Sequence, residues 1–230
     1  MLEKIEILGM GLDICTVQEA MVQLEEYWNN TIMSTIQNIT METLVKAHGD
    51  ELLKSCIESL DLTIICDKEI LKAAGVASKQ KIQEVIDHAF FREFMRRTQD
   101  GGRTVYLLGE TGGQIEGLQV FLEEAHFKLK VTGTYALSEC TGDYDTVINE
   151  INIAAPDVIL SVIPTPEQEY FLKEHKEKLN AKIWYGLGVL NSDKRGMLEM
   201  AEFARKLLQK GIMHGILLRY HKNEGDDSDE

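Results

Sequence analysis

Proline and cysteine are both scarce in this chain of 230 residues, with three of the first and four of the second. So few prolines, and no low-complexity stretch, leave no place for a long linker. The length therefore fits one large domain or two small lobes sharing a core. Cys15, Cys56, Cys66 and Cys140 form no CxxC pair, which argues against zinc. No apolar run approaches the roughly 20 residues of a membrane span. The opening MLEKIEILGM sets one lysine and two glutamates ahead of any apolar stretch, the reverse of a signal peptide. A cytoplasmic protein with reduced thiols is expected. Basic residues are also short, 24 against 38 acidic, for a net charge of −14. That balance excludes non-specific nucleic-acid binding, which needs a basic face. Five of the acidic residues, Glu224, Asp226, Asp227, Asp229 and Glu230, fall in residues 223–230, which read as a disordered acidic tail.

What is present is a 44% apolar chain with clear periodicity. Thr16-Val17-Gln18-Glu19 is a capping box that opens a helix stopped by Asn29-Asn30. Residues 32–39 read as a strand, and 41–59 as helix bent near Gly49-Asp50. Leu62 to Cys66 form a short β-branched run ending at Asp67. One helix is expected to carry Ile82, Val85, Ile86, Ala89, Phe90 and Phe94. Strands then alternate with helices: strands at 104–108, 129–132, 158–163 and 183–186, and helices around 115–125, 144–151 and 167–179. A last helix runs from Met197 to about Lys210. This alternation means βαβ units, an α/β fold and a mostly parallel sheet flanked by helices. A smaller N-terminal α/β lobe (1–100), a second lobe (101–196), a helical appendage (197–222) and the tail (223–230) make up the expected organisation. Ligands of such sheets sit beyond the carboxyl ends of the strands.

Several residues there carry chemistry, each with an ordinary alternative. Gly109-Glu110-Thr111-Gly112-Gly113 lies between a strand and a helix. Its amides could cradle a phosphate, or its glycines could merely make a turn. Gln168, in the first turn of a helix after Pro166, could face the crevice and pair with a uracil edge or a sugar hydroxyl. Alternatively Thr165 caps that helix, with Glu167 and Glu169 complementing its dipole. Asp67 ends a strand as a general-base candidate, or as the cap of the next helix. Cys66 reads as a small buried hydrophobe. The six histidines show no metal-binding spacing, so no metal site is expected. Tyr27, Trp28, Phe90, Phe91 and Phe94 exceed what single helix faces bury, which points to a homo-oligomer.

Taken in order, the segments resemble the WecG/TagA/CpsF family of glycosyltransferases. The matching pieces begin with Ile7-Leu8-Gly9, Thr16 to Glu19, Asn38-Ile39-Thr40-Met41-Glu42 and Ile65-Cys66-Asp67-Lys68. They continue with Val105-Tyr106-Leu107-Leu108-Gly109 and Gly133-Thr134-Tyr135. The most specific run is Pro156-Asp157-Val158 through Pro166-Glu167-Gln168-Glu169, followed by Ile183-Trp184-Tyr185-Gly186-Leu187-Gly188. The resemblance implies a Rossmann-like fold and a UDP-sugar donor substrate, with no other cofactor. It implies inverting transfer of an N-acetylmannosamine-like sugar to a lipid-linked acceptor of cell-surface polymer synthesis. It assigns Asp67 as base. On the donor side it places Gly109, Gly112, Pro166, Gln168, Glu169 and Gly186, and as further substrate contacts Asn38, Thr40, Lys81 and Tyr135. It also implies contact with the inner membrane face, for which Arg205, Lys206 and Lys210 supply a local cationic helix in an acidic chain.

The chain departs from the family pattern at named positions. Asn38 and Thr40 stand where the family has Thr and Asn. Lys68 replaces the glycine after the Asp, Lys81 an arginine, and Pro164 a glycine. Gly188-Val189-Leu190-Asn191-Ser192 keeps little of the late glycine pattern. Two readings follow: an active transferase, or a degenerate relative that binds a nucleotide or a partner protein. A pocket filled by Lys68 or Tyr185 would favour the second.

Overall fold

The computed structural model describes residues 2–125 and 127–188. The appendage and tail expected at 197–222 and 223–230, and positions 189–192 of the late glycine pattern, lie outside the described residues.

The chain begins with a hairpin of β1 (Glu3–Ile7) and β2 (Met10–Ile14). Leu8 and Gly9, both with positive φ, make its turn. Two positive φ values are what a tight hairpin turn demands, and Gly9 adopts one without steric cost. Neither strand was expected from the periodicity of the sequence. Next come α1 (Val17–Asn29), β3 (Ser34–Ile39), α2 (Met41–His48), α3 (Glu51–Glu58) and β4 (Leu62–Ile65). They lead through α4 (Lys68–Ala73), α5 (Lys79–Ile86) and α6 (Ala89–Asp100) to β5 (Thr104–Gly109), α7 (Gly112–Glu124) and β6 (Lys130–Ala136). The last described elements are α8 (Asp145–Ala154), β7 (Val158–Ser161), α9 (Glu167–His175) and β8 (Ile183–Gly186). The capping box at Thr16 and Glu19 forms as expected. Asp50 separates α2 from α3 by accepting from the amides of Leu52 and Leu53. The single helix expected through Ile82 and Phe94 is instead two, because His88 takes φ 47 and turns the chain between α5 and α6.

Strands β3 to β8 form one parallel six-stranded sheet in the order β4-β3-β8-β7-β5-β6. The protein is therefore α/β, with both halves of the chain in the same sheet. Side chains alternate along each strand between the two faces. Ile36, Leu107, Leu160 and Ile183 pack under α1, α6 and α7. Tyr106, Ile159 and Trp184 pack against α8 and α9. Ile39 and Ile65 join α2, α3, α4 and the hairpin in a third cluster. The hairpin is tied to the β4 edge by a buried side chain, for Asp13 accepts from the Thr63 amide and hydroxyl at 2.9 Å each. This covers a sheet edge that would otherwise be open.

Tyr27, Trp28, Phe90, Phe91 and Phe94 are each no more than 7% exposed. Phe94 lies at the centre, with ring centroids 4.8 Å from Tyr185 and 6.1 Å from Trp28, while the Arg103 guanidinium stacks 3.8 Å over Trp28. The chain thus buries these rings in its own core, and the expectation of a homo-oligomer loses the argument that carried it.

His175, at the end of α9, lies edge-on to Phe171 and Tyr144. Neither ring nitrogen has a hydrogen-bond partner among the described residues. Burial lowers its pKa, with Glu174 opposing. The unfolded chain then protonates first as pH falls, so stability is full above the ordinary histidine range near about 6.5 and drops below it. Melting temperatures of the wild type and His175→Phe, followed from about pH 8 to about pH 5, should diverge in that window, with only the wild type showing this loss.

Candidate active site at the strand ends

Beyond the carboxyl ends of the sheet, β3 runs into α2 and β4 into α4. Ligands of parallel sheets gather at such ends. A cavity of about 320 Å³ lies there, and Asn38, Thr40, Asp67 and Lys81 all line its wall. The structure thus brings together four of the residues picked from sequence.

Asp67 follows β4 directly. It caps no amide of its own helix α4. Its Oδ2 accepts instead from the Met41 amide at 2.6 Å, across the crevice at the start of α2. Thr40 caps the same helix, accepting from the Thr43 amide at 3.2 Å. The Tyr185 hydroxyl donates to Asn38 Oδ1 at 2.9 Å, and Asn38 Nδ2 donates to the Leu187 carbonyl at 3.3 Å. Burial pushes the Tyr185 hydroxyl well up from its usual range, so it stays a donor. Lys81 Nζ sits 3.5 Å from both Glu3 Oε2 and the Ile14 carbonyl. Lys68 lies 4.0 Å from Glu69 on the half-exposed side of α4 and is not part of the cavity wall.

Sequence reasoning missed Asp13, Glu84, His88 and Phe90 as lining residues, while Tyr185, named as a side chain that could fill the pocket, lines it and leaves it open. Glu84 had a signal, since it lies one helical turn from Lys81 on the same face. Its Oε2 accepts from the Val17 amide at 2.8 Å, capping α1 from outside. His88 had none, because it marks the helix break. The wall carries three carboxylates, of Asp13, Asp67 and Glu84, against the ammonium of Lys81. Such a surface attracts hydroxyl donors, while Lys81 offers an anion its point charge. Cys15 and Cys66 also reach the wall. Burial pushes both thiols up to about 12, so neither is a thiolate at neutral pH.

The remaining positions lie elsewhere along the same sheet end. Gly109 ends β5, where a Cβ would come within 3.0 Å of Ile115. In the loop that follows, the Glu110 and Thr111 amides both donate to Gln114 Oε1, at 2.8 and 3.0 Å. These two amides close a helix cap. Gly112 begins α7 and is exposed. Tyr135 is half-buried on β6, five strands from β4; at about 4.8 Å per strand that is roughly 24 Å from the Asp67 cavity. Pro166, joined to Thr165 by a cis peptide, occupies the cap position of α9. Thr165 does not cap the helix, since its hydroxyl donates to Glu169 Oε1 at 2.8 Å.

Gln168 and Glu169 do not face an open crevice. They are 0% and 2% exposed, under the end of β8. The Gln168 amide packs flat on Gly186, where a Cβ would stand only 2.6 Å from its Nε2. Gly186→Ala should therefore cost about 1–3 kcal/mol through overpacking. Urea unfolding checks this, and adding Gln168→Ala should recover part of the loss, as coupled neighbours do.

The profile of the glycosyl transferase WecG/TagA/CpsF family matches residues 5–191. The chain belongs to this family. Among its relatives is the N-acetylglucosaminyldiphosphoundecaprenol N-acetyl-beta-D-mannosaminyltransferase of Staphylococcus aureus strain NCTC 8325 / PS 47. That enzyme is 19% identical over 205 residues, 88% of this chain and 77% of the relative. The enzyme of the same name from strain MRSA252 is 20% identical over the same shares. All four cavity residues picked from sequence fall inside the WecG/TagA/CpsF match.

Proposed function

We propose that this WecG/TagA/CpsF glycosyltransferase moves an N-acetylmannosamine-like sugar from a UDP-sugar to a lipid-linked acceptor. The observation that carries the reading is the Asp67 carboxylate on the wall of a cavity at the carboxyl ends of the strands. One oxygen is held by the Met41 amide, which leaves Oδ1 to take the proton of the acceptor hydroxyl. Removing that proton sharpens the nucleophile as the sugar–phosphate bond breaks. The hydroxyl attacks the anomeric carbon opposite the leaving UDP, inverting it. Asn38 and Thr40 bind sugar hydroxyls, and Lys81 offsets diphosphate charge at the rim as a point charge. Gly109, Gly112, Pro166, Gln168, Glu169 and Gly186 shape the donor side, and Tyr135 stands beside that group. Among the described residues no helix is long and apolar enough to cross a membrane. The acceptor is met by peripheral contact at the inner membrane face.

The competing reading, a non-catalytic relative, draws on Lys68 beside Asp67. Lys68 turns to Glu69 and leaves the cavity open, which favours the enzyme. Calorimetry with UDP and UDP-N-acetylhexosamines, followed by donor turnover, tests the proposal. An absence of binding at millimolar UDP would overturn it.

A further inference from the structure

A poorly satisfied polar cluster among the described residues lies where β3, β8 and α9 meet, and it includes both amide atoms of Gln168. Gln37 is 0% exposed and Glu169 2%. Gln37 Nε2 donates to Glu169 Oε1. The other oxygen of each group, Gln37 Oε1 and Glu169 Oε2, is buried without a hydrogen-bond partner among the described residues. An ionised carboxylate and an amide oxygen are both acceptors, so neither can satisfy the other. Two orphaned buried acceptors, on groups already joined by one bond, are costly as they stand. A single proton removes both defects.

We infer that Glu169 is a neutral carboxylic acid in the folded protein, its Oε2–H donating to Gln37 Oε1. Acid and amide then form a closed pair of antiparallel hydrogen bonds, with Thr165 donating to the remaining lone pair of Oε1. Burial independently favours the neutral form of Glu169, against the bonds from Gln37, Thr165 and its own backbone amide. The charged and titratable groups around it do not supply a counter-ion. Glu167 on α9 adds negative charge. Cys56 on α3 and Tyr170 on α9 each feel Glu169, and each also feels Asp50, the cap of α3. The Lys173 ammonium is felt at Cys56. Lys46 of α2 is engaged by the Thr165 carbonyl at 2.9 Å and by Glu42 at 3.1 Å. The β8 neighbour is Gly186, which carries no charge.

Glu169 is on this account a positioning residue. The closed pair fixes Gln37, and so the end of β3 that delivers Asn38 to the cavity. It also keeps a negative charge out of the sheet end on which the proposed UDP donor would bind. This second consequence rests on the proposed function, but the protonation state does not. Loss of the proton to solvent at high pH would break the pair and restore a buried charge.

Infrared difference spectra of the full chain test the protonation directly. At neutral pH the wild type should show a protonated-carboxyl C=O band that Glu169→Gln lacks. Glutamine keeps both hydrogen bonds to Gln37, so this variant preserves the shape. If the variant fails to fold, the carboxyl carbon resonance of Glu169 in the wild type, held at the neutral-acid position at neutral pH, replaces it. The proton is retained by the folded chain after the unfolded chain has lost it near about pH 4.3, so wild-type stability should fall relative to Glu169→Gln as pH rises above that value. An absent band, or a carboxylate resonance at neutral pH, overturns the inference. UDP that binds at no pH, with the band present, overturns the proposed function and leaves the proton in place.

Discussion

Asp67→Asn should lower sugar transfer by about 100- to 10,000-fold, the usual weight of a positioned general base. The melting temperature and UDP affinity should stay near those of the wild type. The reason for that separation is structural. Asp67 Oδ2 accepts from the Met41 amide at 2.6 Å, and an asparagine oxygen can accept the same bond. What asparagine cannot do is take a proton. Transfer of a labelled sugar, beside calorimetry with UDP, reads both quantities. Turnover that survives the substitution would move the base elsewhere, and Glu84 is then the next carboxylate on the cavity wall to test.

Phe94→Ala should have the largest effect on stability, about 3–5 kcal/mol. Phe94 is 0% exposed and touches Trp28, Phe90 and Tyr185. The loss includes the edge-to-face contact with Tyr185 as well as a cavity. For a chain of this size each kcal/mol moves the melting temperature by roughly 2–4 °C, so a fall of about 6–20 °C is expected. Scanning calorimetry measures it. The Tyr185 hydroxyl orients Asn38, so the surviving folded fraction should also bind substrate less well than the wild type.

The sequence spoke clearly wherever a local pattern was strong. Thr16 and Glu19 announced the start of α1, and the apolar runs at 104–108 and 158–163 announced central strands. Such strands are buried on both faces and carry little polarity to confuse the reading. The hairpin of β1 and β2 was silent because its exposed strand mixes charges with isoleucines and its turn has one glycine. The break at His88 was silent for a different cause. The apolar spacing continues straight through it, and a left-handed histidine leaves no compositional trace. Among site residues, Asp67, Asn38, Thr40 and Lys81 converge because strand ends are where residues from distant segments meet. The orientation of Gln168 and Glu169 could not be read in the same way. Their position in the first turn of α9 was right, but their direction is set by Gly186 and Gln37. These lie on strands far away in sequence, and nothing local reports them.

The place of β3 in the sheet has a consequence for biosynthesis. One neighbour, β4, follows within a few tens of residues, but the other is β8. Asn38 reaches Leu187, which is 149 residues later. At roughly 5–20 residues per second, a ribosome needs about 7–30 s to supply that partner. Throughout that interval one side of β3 has no neighbour from its own chain. The segments delivering Asn38, Thr40 and Asp67 emerge early, yet their crevice takes shape only when β8 docks. A nascent chain stalled before Gly186 would thus display Asn38, Thr40 and Asp67 without the strand that completes their crevice.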